Sequence, residues 1–271
     1  MGLHGVDFSG ASEPGESVWL TTAEPTDDGV EVTACRSARE AFGVSDRDEV
    51  LASLRSFPEE GDVMGVDASF GLPRPVLPER VAASDDWREA VRWVAGEYAD
   101  ADALAAQADW KDRARASEAD GIELKRRTDG STGANSPYSF ITRYQTFHAM
   151  RDLLAPVLDS VSVPPMIPGD DRGPTLIEVY PAATLRSLGV PDRKYKDSSD
   201  PRARERRERI LAGLCEWGVT LPERFEERVL GDADGDALDS LVAAVATARA
   251  VESRFAVEDG RYDPVEGYIY V

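Results

Sequence analysis

Two short apolar runs limit what this chain can become. LHGVDFSG at 3–10 and DVMGVDASFGLPRP at 62–75 read as buried strands running into turn-forming residues. Both carry G-V-D, and both place an Asp at the end of the strand beside small residues. SVWLTTAE and GVEVTACRS lie between them, rich in Val and Thr and bounded by Gly, Pro and Asp, and predict hairpin-linked strands. SDRDEVLASLRSF predicts a helix that Ser45 can cap, with Val50, Leu51, Leu54 and Phe57 on its apolar side.

From about 85 to 160 the pattern is helical, with Trp87, Val91, Val94 and Tyr98 at helical spacing. Within it, KRRTDGSTGANSPYS reads as loop by composition, and YSFITRYQTFHAMRDLLAPVL resumes a helix. PTLIEVYPAATL holds a further strand, stopped by Pro181 before a helix-like stretch. PRARERRERILAGLCEWG is a charged amphipathic helix. The last long helix lies in GDADGDALDSLVAAVATARA, where Leu238, Leu241, Val242 and Val245 mark a core face. With no internal repeat and no long linker, residues 1–271 are expected to form one domain with a helical insertion at about 85–160. Three strands, helix, strand, insertion, strand and helices imply an α/β fold, a mixed sheet flanked by helices. Ribonuclease H-like folds use that order.

Charge narrows the setting. Asp and Glu number 51 against 31 Lys and Arg, a net −20, and lysine occurs only at 111, 125, 194 and 196. Acid-rich and lysine-poor composition is expected of a halophile, a haloarchaeon, where molar salt screens the self-repulsion. No run of about 18 apolar residues predicts a membrane span. The opening MGLHGVDFSG does not read as a signal peptide. Cys35 and Cys215 make neither a disulfide framework nor a zinc motif. The expected setting is cytoplasmic.

Asp7 and Asp67 end their strands, while Asp236 and Asp239, three apart, are neighbours on one helix. Capping of the helix N-terminus is the simpler account of that pair. Glu178 sits inside a buried strand, where a carboxylate is costly unless it is paired with an Arg or bound to metal. Carboxylates gathered at one sheet end repel one another, and a hard divalent cation with oxygen preference, Mg²⁺ or Mn²⁺, relieves that repulsion. Two such ions about 3.5–4 Å apart serve phosphodiester cleavage. His4 and His148 share no metal spacing.

GVDFSGA, GVDASFGLP, RRTDGSTGANSPYS, YQTFHAM, IEVYPAATLRSLG with YKD, and DALDSLVAAV occur in that order across nearly the whole chain. In these motifs the chain resembles the domain-of-unknown-function-429 family, predicted ribonuclease H-like nucleases. Its final helix also resembles that of Holliday-junction resolvases. The resemblance implies that Asp7, Asp67 and Asp239 are metal ligands, with Asp236 and Glu178 as further catalytic members. It also implies hydrolysis of a nucleic-acid phosphodiester by metal-activated water.

Lys125, Arg126 and Arg127, then Arg143, and a second basic run at Arg193, Lys194 and Lys196 stand out in so acidic a chain. Lys125, Arg126, Arg127, Arg143 and Lys196 are candidates to bind the phosphate of a nucleic acid or nucleotide. Gly130, Gly133, Asn135 and the FSGA turn offer backbone N–H groups to the same end. The alternatives are a non-catalytic nucleic-acid or nucleotide-binding protein, and an ATP-dependent phosphotransferase.

Overall fold

The computed structural model describes residues 1–169, 173–196 and 199–271; Asp197 of the YKD motif lies outside them. β1 (Leu3–Asp7), β2 (Trp19–Thr26) and β3 (Gly29–Ser37) form an antiparallel meander. β4 (Val63–Asp67) pairs parallel with β1, and β5 (Thr175–Val179) pairs parallel with β4. Two-residue strands β6 (Val219–Thr220) and β7 (Ile269–Tyr270) complete a mixed sheet of order β6-β3-β2-β1-β4-β5-β7. The chain is therefore α/β.

α1 (Ala38–Phe42) and α2 (Arg47–Ser56) connect β3 to β4. Asp46 caps α2, accepting from the Asp48 N–H at 2.9 Å, so Ser45 is not the cap. After β4 come α3 (Glu79–Ala82), α4 (Trp87–Glu97), α5 (Ala103–Ala116), α6 (Arg127–Thr132) and α7 (Arg143–His148). α7 runs on through a wider π turn, Ala149–Leu154. α6 corrects the loop expected at KRRTDGSTGANSPYS. Asp129 accepts from the Arg126 backbone N–H at 2.8 Å, Thr128 and Thr132 are buried, and Gly133 ends the helix at φ 70°. Buried tertiary contacts there override a turn-like composition.

α8 (Pro181–Ser187), α9 (Ala203–Trp217), α10 (Glu223–Gly231) and α11 (Asp236–Glu252) follow β5. Among the described residues no helix is long and apolar enough to cross a membrane. Strand alternation separates two cores. Val6, Phe8, Val66 and Leu176 face the α2, α4 and α5 side, whereas Leu3, Val63, Ile177 and Val179 face α8–α11.

α11 is buried far beyond one face: every residue from Ala237 to Ala248 is enclosed. A helix apolar all round belongs in an interior, and this one lies across the middle of the sheet. Its closeness depends on two glycines. Gly5 and Gly65 face each other across the β1–β4 pair, and a Cβ on Gly5 would stand 2.1 Å from the Ala244 nitrogen and 2.2 Å from the Ser240 oxygen. A Cβ on Gly65 would stand 2.1 Å from Thr247 Oγ1. Thr247 donates to the His4 carbonyl at 3.1 Å, and Thr21 and Ser240 hydroxyls meet at 2.8 Å.

Gly5→Ala is expected to destabilise the fold by about 1–3 kcal/mol or more, because the obstacle is helix backbone. Gly96→Ala, in α4 with nothing within 4 Å, should instead stabilise by about 0.5–1 kcal/mol. Urea unfolding of both variants checks the contrast.

Candidate metal centre

The same register that aligns the glycines aligns two acids. Asp7 lies opposite Asp67, and residues two apart on a strand share a face, so both point toward α11 as Gly5 and Gly65 do. α11 runs back along β1, which brings its first turns to the strand ends and supplies Asp239. One carboxylate oxygen from each of Asp7, Asp67 and Asp239 lies within 4.8 Å of the others. Asp7 and Asp239 are buried and Asp67 is half-buried.

Capping does not explain the helical pair. The α11 N-cap is Gly235, in the left-handed region, and the Ala237 N–H donates to Asp232 at 2.8 Å. Asp236 and Asp239 are thereby released for other contacts. Asp236 is half-buried beside the triad, 3.5 Å from Lys196 Nζ. Asp239 accepts from the Tyr195 hydroxyl at 2.7 Å and lies 2.5 Å from Lys196 Nζ.

Electrostatics follow from this crowding. Burial pushes the Asp7 carboxyl well above the usual range, Lys196 opposes the shift, and Asp239, Asp67 and Asp236 add repulsion. Burial, with repulsion from Asp239, pushes Asp67 up to about 8, again against Lys196. Asp236 is raised by burial as well. Three close carboxylates out of water need positive charge, and an all-oxygen donor set suits Mg²⁺ or Mn²⁺. Histidine does not compete: His4 bonds Asp62 and Thr22, and His148 bonds Asp152.

Glu178 does not join the triad. It pairs in register with Val66, whose side chain faces away from α11, so the carboxylate emerges on the opposite side of the sheet. There it accepts from Arg126 Nη1 at 2.7 Å, Arg126 Nη2 at 2.5 Å and the Phe70 N–H at 2.9 Å. Arg126 is correspondingly no phosphate ligand. Its fully buried guanidinium is held by Glu178, Asp129 and the Glu266 carbonyl. Burial opposes its charge, but the two carboxylates hold its pKa above the ordinary value.

A cleft of about 710 Å³ opens beside the triad, lined by Asp7, Asp236, Lys196, Arg47, Tyr144 and the Phe8–Ser12 turn. A smaller pocket of about 140 Å³ reaches Asp67, Asn135 and Tyr180, and Ile141 and Gln145 line both. Of the basic candidates, Lys196 reaches the cleft. Lys125 and Arg127 are exposed and line neither space; the Arg127 side chain lies 3.9 Å from Asp263. Arg143 is buried, its guanidinium 4.4 Å and 4.9 Å from the Phe140 and Tyr144 ring centres. Arg193 is exposed beside Asp192.

Three contributors carried no sequence signal of their own. Arg47 donates to the Ala11 carbonyl at 2.7 Å, and Gln145 to the Phe8 carbonyl at 2.6 Å, bracing the turn after β1. Tyr195 had one indirect pointer, its place between two of the four lysines.

Two outcomes are expected. Because burial raises both Asp67, up to about 8, and Asp7 beside it, a cation bound among them would displace protons, so its affinity should rise with pH through that range. The gain is about tenfold per pH unit for each proton displaced. The metal-free fold, binding more protons than the unfolded chain across that window, loses stability as pH rises through it. Mn²⁺ calorimetry in buffers of different ionisation enthalpy counts the protons; a pH-independent affinity would contradict the assignment. Separately, Arg126→Ala strands two buried carboxylates and should cost about 3–5 kcal/mol, whereas exposed Arg127→Ala should stay within about 0.5 kcal/mol, both read by thermal unfolding.

No curated protein and no solved structure matches the chain. The model of the family described as "Protein of unknown function (DUF429)" matches residues 5–261. That span begins in β1 and takes in β4, the Lys196 segment and α11, every element that builds the triad. The chain belongs to the DUF429 family.

Proposed function

We propose that this protein is a divalent-metal-dependent phosphodiesterase, a nuclease of ribonuclease H-like fold acting on nucleic acid. The observation that carries the reading is the Asp7–Asp67–Asp239 cluster facing a cleft of about 710 Å³. The antiparallel β2 and the central order β3-β2-β1-β4-β5 support the fold assignment. The net charge of −20 with four lysines supports a halophilic cytoplasm as the working medium.

Asp7, Asp67 and Asp239 would hold Mg²⁺ or Mn²⁺. When bound, the cation supplies Lewis acidity, polarising a phosphoryl oxygen and lowering the pKa of water. The chain's own groups do the rest. Lys196, with its ammonium at the cleft wall, attracts a phosphodiester and offsets its charge. Arg47 and Gln145 hold the Phe8–Ser12 turn, whose small residues let backbone approach a phosphate closely. Exposed Ile141 lines the cleft and offers apolar surface to a nucleobase, with exposed Phe140 next to it in the chain.

Asp7→Asn keeps the side-chain shape and removes a ligand charge. It should lower Mn²⁺-dependent cleavage of nucleic acid in molar KCl by about 100-fold or more, with the circular dichroism spectrum unchanged. A variant as active as the native chain would overturn the assignment.

A further inference from the structure

The cation already built into this centre is Lys196. Its ammonium lies 2.5 Å from one oxygen of Asp239 and 3.5 Å from Asp236, and it lines the larger cleft together with Asp7 and Asp236. Its side chain is 40 % exposed at the cleft wall, so it is the facing carboxylates that hold its charge in place.

Its placement is constructed rather than incidental. Arg206 donates to the Lys194 carbonyl at 2.8 Å and Arg207 to the Tyr195 carbonyl at 2.6 Å, so α9 grips two consecutive carbonyls just ahead of Lys196. Lys194 sits at φ 61°, a conformation costly for a non-glycine residue unless its surroundings fix it. The buried Tyr195 points its hydroxyl at the other Asp239 oxygen. The lysine stem crosses Gly235 so closely that a Cβ there would stand 2.8 Å from Lys196 Cγ.

One cation position lies among Asp7, Asp67 and Asp239. A second place for positive charge lies on the cleft side, against Asp239 and Asp236, and the ammonium stands there. In a two-metal centre the ions sit about 3.5–4 Å apart and share a carboxylate. Here Tyr195 and Lys196 engage both oxygens of Asp239, the carboxylate common to the two positions.

We infer that Lys196 is a tethered cation filling the second position, so that the centre takes one divalent ion per chain, not two. The inference rests on the reading of Asp7, Asp67 and Asp239 as a metal site, and it makes that site a hybrid of one exchangeable ion and one fixed ammonium. Lys196 would then lend its charge to the substrate phosphate where a second ion otherwise would.

Mn²⁺ titration by calorimetry, with electron paramagnetic resonance on the same samples in molar KCl, tests this. The salt suppresses diffuse binding to an acidic surface. The native chain should bind one Mn²⁺ with an uncoupled spectrum. Lys196→Met, or Lys196→Gln if Met does not fold, should bind two, with the spin coupling of neighbouring ions. Two ions in the native chain, or one in the variant, would overturn the inference while leaving the metal site standing. No ion in either protein would overturn the metal site itself, and the inference with it.

Discussion

Everything in the centre hangs on a close approach between a helix and a sheet. β1 and β4 pair with glycine opposite glycine, and α11 settles into the space that two missing side chains leave. Because helix and strand run in opposite directions, the depth of that seating fixes how far along β1 the first turns of α11 reach. Asp239 therefore meets Asp7 and Asp67 through main-chain geometry, before any attraction between side chains is considered. Their mutual repulsion works against the meeting, and the buried length of α11 outweighs it.

Strand alternation then divides the acidic residues into two populations with different chemistry. On one face Glu178 and Asp129 share the guanidinium of Arg126, which satisfies them inside the protein. On the other, three carboxylates and Asp236 share the single ammonium of Lys196. One face is electrostatically closed and serves to dock the helical insertion on the sheet. The opposite face keeps more carboxyl groups than fixed cations at the cleft. That asymmetry, more than the number of acids, supports the proposed cation site.

Much of this was legible in the residues. The two G-V-D strands, the antiparallel β2 and β3, Pro181 ending β5 and the long final helix all follow from local patterns. Asp7, Asp67 and Asp239 were recognisable as strand-end and helix acids, and their convergence is a matter of register and helix direction. Glu178 and Arg126 pair with each other, away from the expected site, for one reason: sequence gives the alternation of a strand but not which neighbour lies across each face. Arg126 read as a loop cation because the residues after it resemble a turn, while its burial depends on Glu178, in a distant strand. Tyr195 was hidden because a lone tyrosine in a polar stretch carries no periodic signal. Asp232 takes the capping duty expected of Asp236 and Asp239, with the left-handed backbone at Gly235, φ 78°, bringing it to the helix end.

The path of the chain through the centre also orders its assembly in time. β1 supplies its acid early in synthesis and β4 follows, but α11 emerges only after the whole insertion, β5 and α9. β7 then pairs with β5, and the Ile269 N–H reaches the Thr128 hydroxyl at 2.9 Å, clasping α6 to the sheet edge. A chain still being made thus holds only the pair of strand-end carboxylates, with neither Asp239 nor the ammonium. On the proposed reading, a metal would be selected by the finished fold, where cavity shape and fixed charge discriminate among ions, and the nascent polypeptide would be spared a premature and less selective capture.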